Sequence, residues 1–134
     1  MQPVIRAALA AFGRPVGLDL ERIRPRSPRF AEIALEQSER ELLDRCGADR
    51  DEAITRFWCA KEAVAKALGQ GLVEGPQTVA VRDVDPQSGT LRLAMGAKLA
   101  AAFPELRSAL LVAWTHRDGD YIVATTFAEK DCAA

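Results

Sequence analysis

The sequence predicts an α+β fold, an antiparallel sheet packed against two main helices. Three observations carry that prediction. One short segment alternates with the period of a strand, two capped helical segments follow it, and the remainder reads as two hairpins. The chain contains neither an internal repeat nor a low-complexity linker, so residues 1–134 are expected to form a single domain.

Val4 to Phe12 is apolar and alanine-rich, and propensity alone favours a helix there. Gly13-Arg14-Pro15 makes a break. Val16 to Glu21 then alternates: Val16, Leu18 and Leu20 share one face, and Gly17, Asp19 and Glu21 share the other. Ser27 is placed to cap a helix that opens on Pro28, runs to about Arg45, turns Phe30, Ile33, Ala34, Leu42 and Leu43 inward, and ends at Gly47. Asp49, with Glu52 three residues on, is the capping box of a second helix that runs to Leu68 and stops at Gly69. Beyond Gly75-Pro76, Thr78–Val84 and Thr90–Met95 form strands around Asp85–Gly89. A short helical turn is expected at Lys98–Phe103. Ser108–Thr115 and Tyr121–Phe127 make a second hairpin around Arg117–Asp120.

Bulk composition excludes several classes of function. A net charge of −1 gives no electrostatic grip on nucleic acid or on an anionic membrane. No apolar run approaches the roughly 18–20 residues of a membrane span. The first residues lack the basic and then long apolar regions of a signal peptide. Cys46, Cys59 and Cys132 are odd in number and contain no C-x-x-C pair. They read as small packing residues of a cytoplasmic protein rather than as disulfides or zinc ligands.

Two features carry chemistry. Asp19 and Glu21, at i and i+2 of a strand, project from the same face, with Gly17 leaving space beside them. Taken alone, that pair also suits a solvated strand face. Hard cations such as Mg²⁺ favour a few carboxylates completed by water and phosphate oxygens. The second feature lies in the second helix. Ile54, Phe57, Val64 and Leu68 make an inward stripe, and Lys61 falls in its middle, where a charge is out of place. Trp58, Glu62 and Lys66 line an adjacent face, where Glu62 and Lys66 also suit an ordinary surface ion pair. Three carboxylates and two lysines together suit a pyrophosphate with its metal ion, where positioning and charge stabilisation supply most of the catalysis.

These segments resemble the 4′-phosphopantetheinyl transferase superfamily. Gly17-Leu18-Asp19-Leu20-Glu21 is similar to its first motif, G-hydrophobic-D-hydrophobic-E. Trp58 to Lys66 is similar to its second, (F/W)-x-x-K-E-(A/S)-x-x-K, and Gly69-Gln70-Gly71-Leu72 to the G-x-G-(L/T) that follows. The resemblance covers about residues 4–75 and implies a Mg²⁺-dependent enzyme. Such an enzyme transfers 4′-phosphopantetheine from coenzyme A to a serine of an acyl or peptidyl carrier protein, releasing 3′,5′-ADP. It implies Asp19, Glu21 and Glu62 as Mg²⁺ ligands and Lys61 and Lys66 as contacts to the coenzyme A phosphates. Glu62 and Lys66 would be the catalytic groups, with Lys66 as the proton-transfer partner. Glu39 is a weaker match to a further acidic residue of the family. The resemblance also turns Val4–Phe12 into a strand paired with Val16–Glu21.

Surfactin-type members are about twice as long, and this chain looks like their second half alone. Their Ser-His segment before the first motif has no counterpart in Met1-Gln2-Pro3. The chain is therefore expected either to be a fragment or to complete its pocket with another polypeptide. A homo-oligomer is expected, as in the short holo-acyl-carrier-protein synthases. His116 reads as structural rather than as a substitute phosphate ligand. A non-catalytic module that binds coenzyme A or a carrier protein, half of a split transferase, and a plain structural domain remain the competing readings.

Overall fold

The computed structural model describes residues 16–69, 75, 78–104 and 111–127. Strand β1 (Val16–Arg22) is followed by α1 (Pro28–Ala34), α2 (Gln37–Leu42), a 3₁₀ turn (Leu43–Cys46) and the long helix α3 (Arg50–Ala67). Then come β2 (Val79–Asp85), β3 (Thr90–Met95), α4 (Ala97–Ala102), β4 (Leu111–Asp118) and β5 (Tyr121–Phe127). The strands form one five-stranded sheet in the order β1-β5-β4-β3-β2, every neighbouring pair antiparallel. The α+β expectation holds. The segment Val4–Phe12, and with it its expected pairing to β1, lies outside the described residues; β1 pairs with β5, from Val16 opposite Phe127 to Arg22 opposite Tyr121.

α3 crosses one face of this sheet. Its start is fixed by Asp49, whose side chain accepts from the Glu52 amide at 2.9 Å. Its end is Gly69, at φ +74°, a left-handed conformation that closes a helix without Cβ strain. The stripe Ile54, Phe57, Val64 and Leu68 is buried against Val79, Val81, Leu91, Leu93 and Leu111, as its spacing predicts. Nearer β1 the contact narrows to small residues: Cys59 and Ala63 pack on Ile122 and Ala124.

Three expectations are corrected. The single helix from Pro28 to Arg45 is broken at Leu35 and Glu36, both extended, because the Ala34 carbonyl and the Glu39 side chain are both drawn to Lys61. Ile33, expected inside, is 57% exposed, since α1 is a short helix buried through Ala31 and Ala34. The space beside Gly17 is filled by α3. A Cβ at Gly17 would lie 1.7 Å from the Ala63 carbonyl oxygen. The face of β1 that carries Asp19 is thus the one the helix covers, while Leu20, on the opposite face, is 59% exposed. The hairpins fall where expected, with β4 extended to Asp118 and only Gly119-Asp120 left to turn.

Candidate functional site

The site forms where β1 lies under the last turns of α3. Gly17 admits the helix backbone, and the Cys59 thiol donates to the Asp19 carbonyl at 3.3 Å, so the two elements touch with no large side chain between them. From this seam Asp19 and Glu21 project from the strand, and Glu62 and Lys66 from the helix one turn apart. Burial pushes the Cys59 thiol far up, with the Asp19 charge adding to it, so Cys59 stays a neutral packing group.

Asp19 is 7% exposed. Its Oδ1 accepts from Lys66 Nζ at 2.6 Å, and its Oδ2 is buried with no hydrogen-bond partner. Lys66 is held above the ordinary lysine value, chiefly by that hydrogen bond, and by the charges of Asp19, Glu62 and Glu21. Glu21 is pushed up to about 7, first by burial, then by the charge and hydrogen bond of Asp19; Glu62 adds to the rise and Arg26 opposes it. Glu62 is also raised, by burial first and then by Asp19, with Lys66 opposing. Glu21 and Glu62 both feel the Asp19 charge, and Lys66 is bonded to Asp19, so the four side chains are electrostatically linked through Asp19.

Crowded carboxylates with elevated affinity for protons are a natural receiver of a cation. All the ligating atoms are hard oxygens, and Asp19 Oδ2 is buried without an amine, amide or hydroxyl donor. Among the described residues no group of three or more acidic, histidine or cysteine side chains is arranged to hold a metal ion. Mg²⁺ is characteristically bound through one or two carboxylates plus substrate phosphates rather than in an all-protein cage. The residues therefore fit that ion by donor chemistry, in an open arrangement.

Lys61 is not brought to this unit, which corrects its expected role as a phosphate contact. Its side chain is 0% exposed and its Nζ donates to Glu39 Oε1 at 2.7 Å and to the Ala34 carbonyl at 3.0 Å. The oddity seen in the sequence, a charge in the middle of an apolar stripe, has its answer in a buried partner rather than in a ligand. That partner, Glu39, was singled out in the sequence only by its weaker match to a further acidic residue of the family, with no partner assigned to it. Trp58, on the edge of the site helix, packs edge-on against Phe30 at 5.7 Å. At the other end of α3 a polar cavity of about 260 Å³ is lined by Glu52, Arg56, Thr115, His116 and Arg117 among others. Arg56 there donates to Thr115 Oγ1 at 2.8 Å and Arg117 pairs with Glu52, a network that sequence spacing does not announce because its members lie 59 and 65 residues apart.

Comparison with known proteins places the chain in a family. Residues 15–126 fit the sequence profile of the ACPS group of the 4′-phosphopantetheinyl transferase superfamily. The chain is 35% identical over 80 residues to the 4′-phosphopantetheinyl transferase psf-1 of Bacillus pumilus, a match that takes 59% of this chain and 34% of that relative. The chain thus spans about a third of the length of that curated relative. Among solved structures, holo-acyl-carrier-protein synthase of Neisseria meningitidis superposes with a TM-score of 0.70 at 21% identity, over 87% of this chain and 98% of that one. The Thermotoga maritima synthase gives 0.67 at 25% identity, over 87% and 64%. The ACPS–CoA complex of Chronobacterium ammoniagenes gives 0.64 at 24% identity, over 88% and 98%.

Proposed function

The chain belongs to the 4′-phosphopantetheinyl transferase superfamily, and on that premise we propose that it transfers 4′-phosphopantetheine from coenzyme A to a serine of an acyl or peptidyl carrier protein. The observation that carries this reading is the contact of Lys66 Nζ with Asp19 Oδ1, which joins strand and helix at a site rich in carboxylates. In the reaction the carrier serine Oγ bonds to the β-phosphorus of coenzyme A. The bond from that phosphorus to the oxygen of the departing 3′,5′-ADP breaks. The serine proton passes to a carboxylate, and the negative charge grows on the leaving phosphate.

Two residues of α3 divide these tasks. Glu62, on the helix one turn before Lys66, is the carboxylate we assign to the serine proton. Lys66, held protonated by Asp19, is the partner of the phosphate charge and a donor to the leaving group rather than an acceptor. Asp19, Glu21 and Glu62 are the residues that would hold Mg²⁺, which when bound neutralises phosphate charge. The nucleophile comes from the partner protein, in keeping with a chain in which no nucleophile–base pair marks the site.

We read residues 1–134 as a single domain of a cytoplasmic enzyme, in keeping with cysteines that form no C-x-x-C pair. A homo-oligomer is the proposed assembly, as the resemblance to the short synthases implies.

The test is mass spectrometry of a carrier protein incubated with this chain, coenzyme A and Mg²⁺. The expected result is a gain of the mass of phosphopantetheine, at a rate lowered about 100-fold or more by Glu62→Gln. No gain with any acyl or peptidyl carrier protein, from folded protein, contradicts the proposal. Calorimetric binding of coenzyme A without transfer identifies a non-catalytic module instead.

A further inference from the structure

Lys61 and Glu39 form the most deeply buried ion pair among the described residues, both side chains 0% exposed, one residue away from Glu62. Every polar atom of the pair is used to bind a different element. Lys61 Nζ donates to the Ala34 carbonyl, at the C-terminal end of α1. Glu39 Oε1 accepts from Lys61 and, at 2.9 Å, from the Glu36 amide that opens α2. Glu39 Oε2 accepts at 2.9 Å from the Val81 amide of β2. β2 ends the sheet order, and its pairing with β3 shifts register between Val81 and Asp83. The carboxylate therefore satisfies a backbone donor on an edge strand and docks α2 there. One charge on α3 is thus tied at once to α1, α2 and the sheet edge.

The consequence for the site is rotational. Adjacent residues of a helix point about 100° apart. A helix whose Lys61 is anchored toward the β2 edge turns Glu62 toward β1, and Lys66, one turn on from Glu62, to the same side. The seam with β1 does not fix this rotation by itself, because its helix side is made of the small side chains Cys59 and Ala63. Small residues permit close approach but provide no key against turning.

We infer that Glu39 and Lys61 are positioning residues that, together with the apolar stripe Ile54, Phe57, Val64 and Leu68, fix the rotation of α3 toward its site end and so hold Lys66 against Asp19, with Glu62 on the same side. The inference rests on the transferase reading for its kinetic test but not for its structural one. A Glu39→Gln or Lys61→Met protein strands one charge in the core and is at risk of not folding. The double variant Glu39→Gln/Lys61→Met removes both charges and is the one to measure, after a cooperative thermal melt has established that it folds.

In steady-state transfer, the double variant is expected to lose kcat by tenfold or more, with KM for coenzyme A within twofold of the parent. A tenfold or greater rise in KM at unchanged kcat overturns the inference, because it makes Lys61 a phosphate contact. Unchanged kcat and KM in a folded but less stable protein overturns it too, because it makes the pair purely structural. If the parent chain transfers nothing, the transferase reading fails. The positioning claim is then decided by a crystal structure of the double variant. Separation of Lys66 Nζ from Asp19 supports it, and an unchanged contact overturns it.

Discussion

At the scale of single residues, Gly17 decides whether a site exists at all. Its backbone is extended within β1, so its role is steric rather than conformational: a Cβ there would overlap the Ala63 carbonyl. Gly17→Ala must push α3 off the strand, with an expected loss of about 1–3 kcal/mol from overpacking. Chemical denaturation measures it, and an unchanged midpoint contradicts the close contact. The motif that contains Gly17 was legible in the sequence, but the reason for the glycine was not. Alternation shows that two residues share a face, and it cannot show whether solvent or a helix covers that face.

Glu21 gives a second residue-level prediction. Its carboxyl is raised in the folded protein from 4.5 to about 7 by burial and by Asp19. The folded state therefore binds more protons than the unfolded state between those values. The contribution of Glu21 to stability is fully present below about pH 4.5 and is lost as pH rises through about 7. Relative to Glu21→Gln, the parent chain is expected to lose stability between pH 5 and pH 8 in a chelated buffer, and to recover it with excess Mg²⁺. Parallel denaturation midpoints for the two proteins across that range would contradict the crowding of Asp19 and Glu21.

At the scale of elements, the caps of α3 were readable because they are local. Asp49 and Gly69 act on atoms two or three residues away, and both sit where sequence rules place them. Asp49→Ala is expected to cost about 1 kcal/mol, seen as a lower thermal midpoint without loss of the helix signal in circular dichroism. A midpoint equal to the parent's contradicts the cap. The break between α1 and α2 was not readable, since neither Leu35 nor Glu36 is a breaker and no glycine or proline marks the place. Its cause is remote in sequence: Lys61 lies 27 residues from Ala34 and 22 from Glu39. The same distance hid the role of Lys61. A charge in an apolar stripe signals a special partner, and sequence does not say whether that partner is a ligand or a buried carboxylate.

At the scale of the whole molecule, the α+β class and both hairpins followed from the order of strand, helix and turn signals. The sheet order did not, because placing the first described strand beside the last is a non-local choice. That choice makes the seam: β1 next to β5 lies under the C-terminal half of α3, and there Lys66 of the helix meets Asp19 of the strand. The resemblance grouped these residues where their spacing could not, since two segments some forty residues apart carry no geometric relation until the fold supplies one. The molecule is in this respect a helix laid on a sheet, with Lys66 over β1 and the buried Lys61–Glu39 pair toward β2.

The most direct test of the account is titration of Mn²⁺, followed by electron paramagnetic resonance, against the parent chain and against Asp19→Asn, Glu21→Gln and Glu62→Gln, with coenzyme A present. The account predicts one site in the parent whose affinity falls about tenfold or more in each variant. Parent-like affinity in all three folded variants would show that strand and helix do not share an ion, and would contradict it.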